Sequence, residues 1–375
     1  MRLFFSLQHF PPSEFGGIAS SVYELVIKLA EHHDIFVLTT TNKISPDSLV
    51  KINHDTWTVL NGINVKYVQT NIPLVSIKYI LSGLKGIKDS DQVHLHSLFF
   101  FPNFLFSIYS VFLRKTTIWS THGELSDAAL KIKWLKKKLY LLFLRVIRKK
   151  IVFRATSDME LSQIRKNLKA RKIITIPNFF DTPLSFPPCK KNQILYLGRI
   201  CPIKKIENLI IACSKSEVFG KNKTILIIAG PVDKEHQKYL SNLHRLIDKV
   251  NLSKQVVFPG ILHSPEKERI ISQSRLLCLI SESENFGVAI LEALSLGTPV
   301  IASKGTPWKD LEKYQCGAWI GNSPAEITQA IEIILTKDES SYNQMCDNAK
   351  TLAKNFSSNN VINQWLDLIS GIYSF

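Results

Sequence analysis

The sequence lacks the segments and spacings that mark membrane-spanning, secreted and metal-binding proteins. Its longest apolar run, Leu98 to Leu113, is broken by Pro102 and Asn103 and falls short of the ~20 residues of a membrane span. The start, MRLFFSLQHFPP, has too short an apolar part and no cleavage site, so it predicts a first strand and not a signal peptide. The six cysteines form no C-x2-C pair and no metal-ligand spacing with histidine, which favours a reduced, cytosolic compartment.

Positive charge is concentrated in the first half of the chain. Of the 375 residues, 47 are Lys or Arg and 31 are Asp or Glu, and residues 1–185 hold 25 of the basic residues against 13 of the acidic ones. A basic surface suits an anionic partner such as nucleic acid, acidic lipid or a phosphorylated substrate. Because no nucleic-acid-binding motif with recognisable spacing occurs, we expect no nucleic acid partner and favour lipid and phosphate.

The pattern of strands and helices begins twice. Strand-like runs alternate with helical runs through the first half, and the alternation restarts at Gln193. Such alternation predicts an α/β protein with two doubly wound, Rossmann-like domains, and the length suits two domains. The stretch 183–192 contains three prolines, which disfavour helix and central strand, and is the expected linker. We therefore predict domains over 1–182 and 193–356, with a terminal helix in 357–375.

The segment SESENFGVAILEALSLGTPVIAS, residues 281–303, is the most informative part of the sequence. Gly287 opens a predicted helix at a point where a side chain would block a bound group, and Gly297 fits the position just past its end. The helix start would direct unpaired N–H groups and a positive dipole end at an anion. Glu284 and Glu292 could accept hydrogen bonds from hydroxyls. The plain alternative is an amphipathic helix with two unrelated glutamates.

A basic turn follows the first strand of the second half. In LGRICPIKKIENLIIA, Gly198 and Arg199 end the strand and Lys204 follows five residues later. A guanidinium and an ammonium at a strand end could neutralise a pyrophosphate between them. Without further context, a solvated basic turn is the simpler interpretation.

Two loops of the first half are candidate binding loops. Gly16 and Gly17 lie at the start of the first predicted helix, where open α/β sheets bind ligands, although the G-x-G-x-x-G dinucleotide fingerprint is absent. His122, in THGEL after the strand TIWS, could donate a hydrogen bond to a sugar hydroxyl or a developing oxyanion. His96, in HLHSLF, is a weaker candidate for which an interior or wall position is at least as plausible.

Together these segments resemble the retaining glycosyltransferases of family 4, which have the GT-B fold. The matching features are the E-x7-E segment from Glu284 to Glu292, the G-R-x4-K spacing from Gly198 to Lys204, the Gly16–Gly17 loop, and the H-G-x-L segment at His122 that is typical of bacterial surface-polysaccharide enzymes. IPN-x-x-D at Ile176–Asp181 and V-F-P-G at Val257–Gly260 also match. One departure is Lys205, which stands where the family usually has glycine and could share or take the role of Lys204.

The resemblance implies a donor site for a nucleotide-diphosphate sugar in the second domain, facing a cleft between the domains. In it, Arg199 and Lys204 neutralise the pyrophosphate, Glu292 binds the ribose and Glu284 the donor sugar. The backbone of Asn285, Phe286 and Gly287 would complete the pocket, Gly16, Gly17 and Gly198 would approach the donor, and His122 would contact its sugar. The nucleotide base would lie near Gly260, Ile261 and Leu262. No D-x-D motif occurs, so no cofactor and no metal are expected.

The resemblance also implies a C-terminal helix that crosses back to the first domain, and retention of anomeric configuration. The implied acceptor is a saccharide, most simply lipid-linked, used in capsule, O-antigen or exopolysaccharide assembly. Two other functions fit parts of the sequence. A GT-B-fold sugar-nucleotide epimerase would share the nucleotide site, and a non-catalytic membrane-associated scaffold would need only the basic surface.

The segment from Leu130 to Arg154 contains ten Lys or Arg residues and no acidic residue. On a helical wheel its apolar residues share one face (Ile132, Leu135, Leu139, Leu142, Phe143 and Val146), and most basic residues take the other. One interpretation is a helix that packs its apolar face on the core. The other is a helix that lies on anionic lipid, with Lys136, Lys137 and Lys138 at the membrane or acceptor surface. The latter predicts peripheral association with the inner face of the cell membrane.

Overall fold

In the computed structural model, which describes residues 1–13, 16–42, 44, 46–49, 52–70, 76–181, 186 and 189–372, the chain divides into two compact units. Unit 1 comprises residues 1–178 and 359–375, and unit 2 comprises residues 179–358. The expected domain ends at residues 182 and 356 lie four and two residues from these divisions, whereas unit 2 begins at residue 179, before the expected start at residue 193. Much of the expected linker, including Pro183, Pro187 and Pro188, lies outside the described residues.

Unit 1 is built on an eight-stranded sheet. Its strands are β1 (Arg2–Ser6), β2 (Asp34–Thr40), β3 (Trp57–Leu60), β4 (Ile63–Val68), β5 (Gln92–His96), β6 (Thr116–Ser120), β7 (Val152–Ala155) and β8 (Lys172–Thr175). The strand order is β3-β4-β2-β1-β5-β6-β7-β8, and every pair is parallel except β3 with β4. The strand order reverses between β1 and β5. Loops that follow these two strands therefore lie at the place where open α/β sheets bind ligands.

The helices of unit 1 connect these strands, and the terminal helix belongs with them. They are α1 (Gly16–Leu29), α2 (Pro46–Leu49), α3 (Ile77–Lys88), α4 (Phe101–Phe112), α5 (Asp127–Lys131), α6 (Trp134–Leu144) and α7 (Asp158–Leu168), with α16 (Ser358–Ile369) at the end of the chain. In α16, Trp365 is buried and lies 5.4 Å from the Arg154 guanidinium, and the Ile369 carbonyl accepts from Gln92. The predicted return of the C-terminal helix to the first domain is confirmed.

Unit 2 has a six-stranded sheet that is parallel throughout its described pairs. Its strands are β9 (Lys191–Leu197), β10 (Ile225–Ala229), β11 (Val256–Gly260), β12 (Ser274–Leu279), β13 (Val300–Ser303) and β14 (Gly317–Ile320), in the order β11-β10-β9-β12-β13-β14. Its helices are α8 (Ile206–Lys215), α9 (Glu217–Lys221), α10 (Gln237–Lys249), α11 (Glu266–Gln273), α12 (Val288–Ser295), α13 (Asp310–Lys313), α14 (Pro324–Leu335) and α15 (Glu339–Lys354). The strand order reverses between β9 and β12.

Apolar strands buried on both faces explain why both sheets are parallel and covered by helices. In β10, for example, the sequence ILIIA contains no polar residue, and Leu226, Ile228 and Ala229 are buried in the core of unit 2. The predicted class, two doubly wound Rossmann-like domains, is confirmed. The hairpin of β3 and β4 at one edge of unit 1 was not predicted, although Ile63–Val68 alternates buried and less buried residues.

Of the two interpretations of segment 130–154, packing of its apolar face on the core does not match the structure. Its six residues are exposed, from 51% for Leu142 to 83% for Val146. The helical path breaks at Lys133, whose φ is 53°, and α6 then docks through Tyr140 and Leu144 instead. The Tyr140 ring packs against Phe99 and Phe104, and Leu144 is fully buried. These contacts turn the larger apolar face of α6 towards solvent.

Candidate active site

The candidate donor-site residues of unit 2 lie at the carboxyl ends of β9 and β12, on the two sides of the strand-order reversal. Lys204 follows β9 in a short 3-10 turn, and Glu284 lies in the loop after β12. The ammonium of Lys204 pairs with the Glu284 carboxylate, although the two residues are 80 positions apart in the sequence. Their side chains are only 10% and 19% exposed. The structure thus brings together the two charged groups that the sequence placed in separate motifs.

Lys204 and Lys205, which the sequence left as alternatives, have different partners. The Lys205 ammonium lies 3.1 Å from Glu282 and not beside Glu284. Lys205 has φ 52° and ψ 38°, in the left-handed region where glycine is least strained, which accounts for the glycine usual at this position. Lys204 is the more buried of the two and is the one that shares the Glu284 carboxylate.

Arg199 stands beside this pair with its own acidic neighbour. Its guanidinium is 4.0 Å from the Asp233 carboxylate, which belongs to the loop after β10. The two loops approach closely because Gly230 has no side chain: a Cβ there would lie 2.0 Å from the carbonyl oxygen of Gly198. The Ile200 N–H also donates to the Pro231 carbonyl at 2.9 Å. Arg199 is thus held at the strand ends while its side chain stays 43% exposed.

The start of α12 has the geometry that the sequence predicted. Gly287 precedes the helix with φ 78°, and Gly297 follows it with φ 68°. Phe286 anchors the loop, because its ring packs against Trp308 and Phe356 and its carbonyl accepts a hydrogen bond from the Trp308 indole. A Cβ at Gly287 would lie 3.4 Å from the Glu284 side chain, so the start of α12 lies next to that residue.

Glu292, the predicted ribose ligand, lies inside α12 and is paired. Its carboxylate is 2.9 Å from the Lys267 ammonium, which is supplied by α11 and also lies near Glu268. Burial raises the pKa of the Glu292 carboxyl, and the positive charge of Lys267 opposes that rise. Lys267 was not among the predicted site residues. Its only sequence signal is a lysine in the first turn of a helix, which is common in proteins.

The predicted base-proximal residues follow β11. Gly260 ends the strand with φ 81° and its carbonyl accepts from the Gly230 N–H at 2.8 Å, so the loops after β10 and β11 are linked. Ile261 is exposed and Leu262 is buried. All three lie at the same edge of the sheet as Arg199.

In unit 1, the candidate residues also gather at the carboxyl ends of strands. The helix α1 begins at Gly16, as predicted, although Glu14 and Phe15 of the preceding loop lie outside the described residues. Ser97 follows β5 with φ 71°, and His122 follows β6 with φ 51°. Left-handed conformations at non-glycine residues persist only where the surroundings hold them, and they cluster at functional sites.

The conformation of His122 is held by one buried carboxylate. Glu160 accepts from the Thr121 hydroxyl and the Gly123 N–H, both at 2.6 Å, and from the N–H and hydroxyl of Thr156. The bonds to Thr121 and Gly123 flank His122 on both sides. Glu160 thus positions the His122 loop, a role that the sequence did not predict, since α5, α6 and β7 lie between the two residues in the sequence.

His122 and His96 form a buried pair. Nδ1 of His96 lies 2.9 Å from Nε2 of His122, and Nε2 of His96 is buried without a partner among the described residues. Burial lowers the pKa of His122 to about 3 and that of His96 well below its usual range, so both rings are neutral. A buried N–H without a partner is rarer than a bare acceptor. The favoured tautomer therefore has His96 Nδ1–H donating to His122, which leaves a proton on Nδ1 of His122.

Glu124, two residues after His122, is a further buried carboxyl. It accepts hydrogen bonds from the Leu98 and Phe99 N–H groups, which tie the loop after β6 to the loop after β5. Burial raises the pKa of this carboxyl to about 7, and those two hydrogen bonds oppose the rise. Glu124 therefore titrates near neutral pH beside the His96–His122 pair.

One group of side chains among the described residues has a spacing that could hold a metal ion. Ligand atoms of Asp233, Glu235 and His236 lie within 4.8 Å of one another. Glu235 is exposed, Asp233 and His236 are partly buried, and the positive Arg199 beside Asp233 disfavours a cation there. The expectation of a metal-independent site stays a prediction.

Comparison with known proteins identifies two family models that together span most of the chain. The model described as Glycosyltransferase Family 4 matches residues 15–183, and the model described as Glycosyl transferases group 1 matches residues 184–352. In the part of the chain that the structure describes, no helix is both long and apolar enough to cross a bilayer.

Curated relatives match parts of the chain at low identity. An uncharacterised glycosyltransferase of Methanocaldococcus jannaschii is 28% identical over 39% of this chain and 36% of its own length. The first three curated relatives are matched over only 16% to 58% of their lengths. GDP-mannose:cellobiosyl-diphosphopolyprenol alpha-mannosyltransferase of Xanthomonas oryzae pv. oryzae is 25% identical over 82% of this chain and 80% of its own.

Among solved structures, Anabaena Alr3699/HepE in complex with UDP and glucose has the same fold. Its TM-score is 0.77 at 18% identity, and the match covers 99% of both chains. At this identity the likeness establishes the fold alone.

The neutral histidines predict that acid destabilises the protein. His94, whose pKa burial lowers to about 3, behaves as His96 and His122 do. Each takes up a proton near pH 6.5 only when unfolded, so stability falls below that pH by about 1.4 kcal/mol per pH unit for each unmatched proton. Glu124 opposes this trend, because below pH ~7 it binds its proton more readily when folded.

We therefore expect the thermal unfolding midpoint to fall as pH is lowered from about 7 to about 5. Glu124→Gln should make that fall steeper, because it removes the one group in this cluster that favours the folded state in acid. Differential scanning calorimetry at several pH values measures both profiles. A flat wild-type profile, or a shallower one in the variant, would contradict the assigned protonation states.

Proposed function

Because the chain belongs to the group 1, family 4 glycosyltransferases, we propose that it is a retaining glycosyltransferase that moves a sugar from a nucleotide-diphosphate sugar to a saccharide acceptor. The observation that carries this proposal is the pairing of Lys204 with Glu284 at the strand-order reversal of unit 2, with Arg199 in the same loop after β9. Two cations and a hydroxyl-accepting carboxylate are the groups that a sugar diphosphate needs. The amino end of α12 adds a third positive contribution.

In the proposed reaction, Arg199 and Lys204 stabilise the nucleoside diphosphate as it leaves. Negative charge grows on the bridging oxygen as the bond to the sugar breaks, and fixed cations act most strongly where water is largely excluded. Lys204 meets this condition because it is buried. Its pairing with Glu284 keeps the ammonium in position before the anion arrives and leaves that carboxylate close to where the sugar hydroxyls would lie.

We assign ribose binding to Glu292 and donor-sugar binding to Glu284. Glu292 is buried but charge-compensated by Lys267, so it can remain an ionised hydrogen-bond acceptor. The role at the donor sugar that the resemblance gives to His122 stays a prediction, with an Nδ1–H as the donor that the buried pair would offer.

The acceptor is proposed to be lipid-linked and used in surface-polysaccharide assembly, such as that of capsule, O-antigen or exopolysaccharide. The name of the Xanthomonas relative gives a diphosphopolyprenol-linked saccharide as its acceptor. An enzyme that uses such an acceptor gains from contact with the bilayer in which the lipid is dissolved. We accordingly place the protein at the inner face of the cell membrane.

Unit 1 has a surface suited to that contact. The exposed apolar face of α6 lies beside exposed basic residues, among them Lys136 and Lys138, and α4 exposes a further apolar stripe that includes Phe101, Ile108 and Phe112. No charged residue occurs in α4. Exposed apolar side chains next to lysines match the interface of an anionic membrane. Lys137 is less available to lipid than Lys136 and Lys138, because its ammonium donates to the Ala129 carbonyl at 2.6 Å.

The pyrophosphate assignment predicts large losses of turnover without loss of fold. Arg199→Ala and Lys204→Ala should each lower turnover by roughly 10²–10³-fold, because each removes charge that stabilises the leaving group. Release of nucleoside diphosphate from a panel of nucleotide sugars, with product analysis by NMR, measures turnover and anomeric configuration. Lys221→Ala, in an exposed ion pair on α9, is the matched control.

Normal turnover in Lys204→Ala together with a large loss in Lys205→Ala would show that the wrong lysine was assigned. A product with inverted anomeric configuration would refute the retaining mechanism. Isomerised donor without transfer would indicate an epimerase, and no turnover with any donor and acceptor pair would favour a scaffold.

Substitutions of Glu292 and Glu284 should have different effects on nucleotide binding. Glu292→Gln should weaken competition by free nucleoside diphosphate by roughly 10- to 100-fold, because a hydrogen bond to a charged group contributes roughly 1.5–3 kcal/mol. Glu284→Gln should spare nucleoside diphosphate affinity and lower transfer, since the sugar is absent from that ligand. Equal losses of nucleotide affinity in both variants would refute this division of roles.

The membrane proposal is tested with two exposed lysines of α6. Lys136→Glu combined with Lys138→Glu should reduce sedimentation with phosphatidylserine-containing vesicles, while transfer to a short soluble acceptor survives. High salt should mimic the change, because surface charges are screened within about 8 Å at physiological ionic strength. Lys238→Glu with Lys249→Glu, on α10 of unit 2, makes the same charge change and should leave vesicle binding intact. Equal vesicle binding by all three proteins would show that α6 is only a solvated surface.

A further inference from the structure

Lys205 occupies a position where the backbone favours glycine. It joins the 3-10 turn Pro202–Lys204 to α8, and its φ of 52° lies in the left-handed region. A lysine there is strained, because its Cβ approaches the neighbouring carbonyl oxygen. Strain of this kind in a candidate site calls for a compensating function, which the contacts of the side chain should reveal.

The stability of its ion pair does not account for the lysine. The Lys205 and Glu282 side chains are 32% and 47% exposed at a separation of 3.1 Å. Ion pairs this accessible to water contribute little to stability and less than a left-handed residue costs. The explanation must therefore lie in what the lysine does to Glu282.

Glu282 lies close to the proposed diphosphate site. It is two residues from Glu284, and its N–H donates to the Ile203 carbonyl at 2.8 Å, within the turn that ends at Lys204. Two lysine–glutamate pairs thus join the loops after β9 and β12: the buried pair of Lys204 with Glu284, and the more exposed pair of Lys205 with Glu282. Without Lys205, Glu282 would add an uncompensated negative charge next to the residue that must bind an anion.

We propose that Lys205 is a positioning residue that neutralises Glu282, and so keeps that carboxylate from repelling the donor diphosphate and from competing for Lys204. Lys205 and Glu282 act together: the strain at Lys205 is explained by the presence of the acid that it neutralises. This inference rests on the proposed donor site. It assigns to Lys205 an effect on binding that passes through Glu282 and not through contact with the ligand.

The test is a charge-compensation cycle with UDP, GDP and ADP as probes, read by isothermal titration calorimetry. Lys205→Gly should weaken binding of the preferred diphosphate by about three- to tenfold at low salt, as expected for one nearby charge near a protein surface. The same change should raise the thermal midpoint, because it relieves the left-handed strain. Adding Glu282→Gln to Lys205→Gly should restore affinity to within about twofold of wild type.

Two matched variants separate charge from backbone effects. Lys205→Asn removes the charge but tolerates the left-handed backbone, and should weaken binding as Lys205→Gly does. Lys223 also has a positive φ, of 48°, but precedes β10 at the opposite edge of the sheet. Lys223→Gly should raise the midpoint and leave affinity unchanged. The loss in Lys205→Gly should shrink from about 0.1 M to about 1 M salt, where the Debye length falls from ~10 to ~3 Å.

Several outcomes would overturn the inference. Unchanged affinity in Lys205→Gly would make the lysine a neutral departure from the family pattern. Weak binding that Glu282→Gln does not restore would show that Lys205 contacts the diphosphate itself. Failure of wild type to bind any of the three nucleotides would instead reject the proposed donor site.

Discussion

The reversal of strand order between β9 and β12 is the constraint on which the candidate site of unit 2 depends. Chains that leave two neighbouring parallel strands towards opposite sides of the sheet open a crevice at their carboxyl ends. Residues far apart in the sequence are brought together there, as Lys204 and Glu284 are across 80 positions. The loops must also come close, which Gly230 permits by the absence of a side chain against Gly198. The strand order therefore determines where the site forms, and a glycine at a strand end lets the loops that carry the charged groups come close together.

Charged side chains in this crevice of unit 2 are paired because they are buried. A buried ammonium or carboxylate is costly when alone, and pairing offsets part of the cost. Lys204 with Glu284 and Lys267 with Glu292 both obey this rule, and Arg199 lies beside Asp233. A diphosphate entering such a site would meet cations that are already positioned and need little reorganisation. That preorganisation, and not an excess of bare positive charge, is what the geometry of unit 2 contributes to the proposed reaction.

The sequence pattern predicted the helices and turns that carry the site, but not which side chains contact one another there. The Gly287 and Gly297 positions and the α12 helix followed from residue type and spacing, whereas the return of α16 followed from the family resemblance. The His96–His122 pair and the contact of Glu160 with the His122 loop could not, because they depend on how β5, β6 and α7 are placed beside one another. Which side of α6 meets the core was left open by the sequence for a related reason. Periodicity shows that a helix has an apolar face, whereas tertiary anchors such as Tyr140 and Leu144 determine which side meets the core.

Departures from a family pattern carry physical information when the structure shows what they cost. At Lys205 the backbone keeps the left-handed conformation suited to glycine, so the replacement changed the side chain and left the turn intact. The Lys205 ammonium reaches Glu282, an acid that itself adjoins the Lys204–Glu284 pair. The departure at Lys205 thus offsets the charge of Glu282 and adds a contact between the loops after β9 and β12. The strained Lys205 and its partner Glu282 are then best understood together, because the lysine offsets the negative charge that the glutamate places beside the anion site.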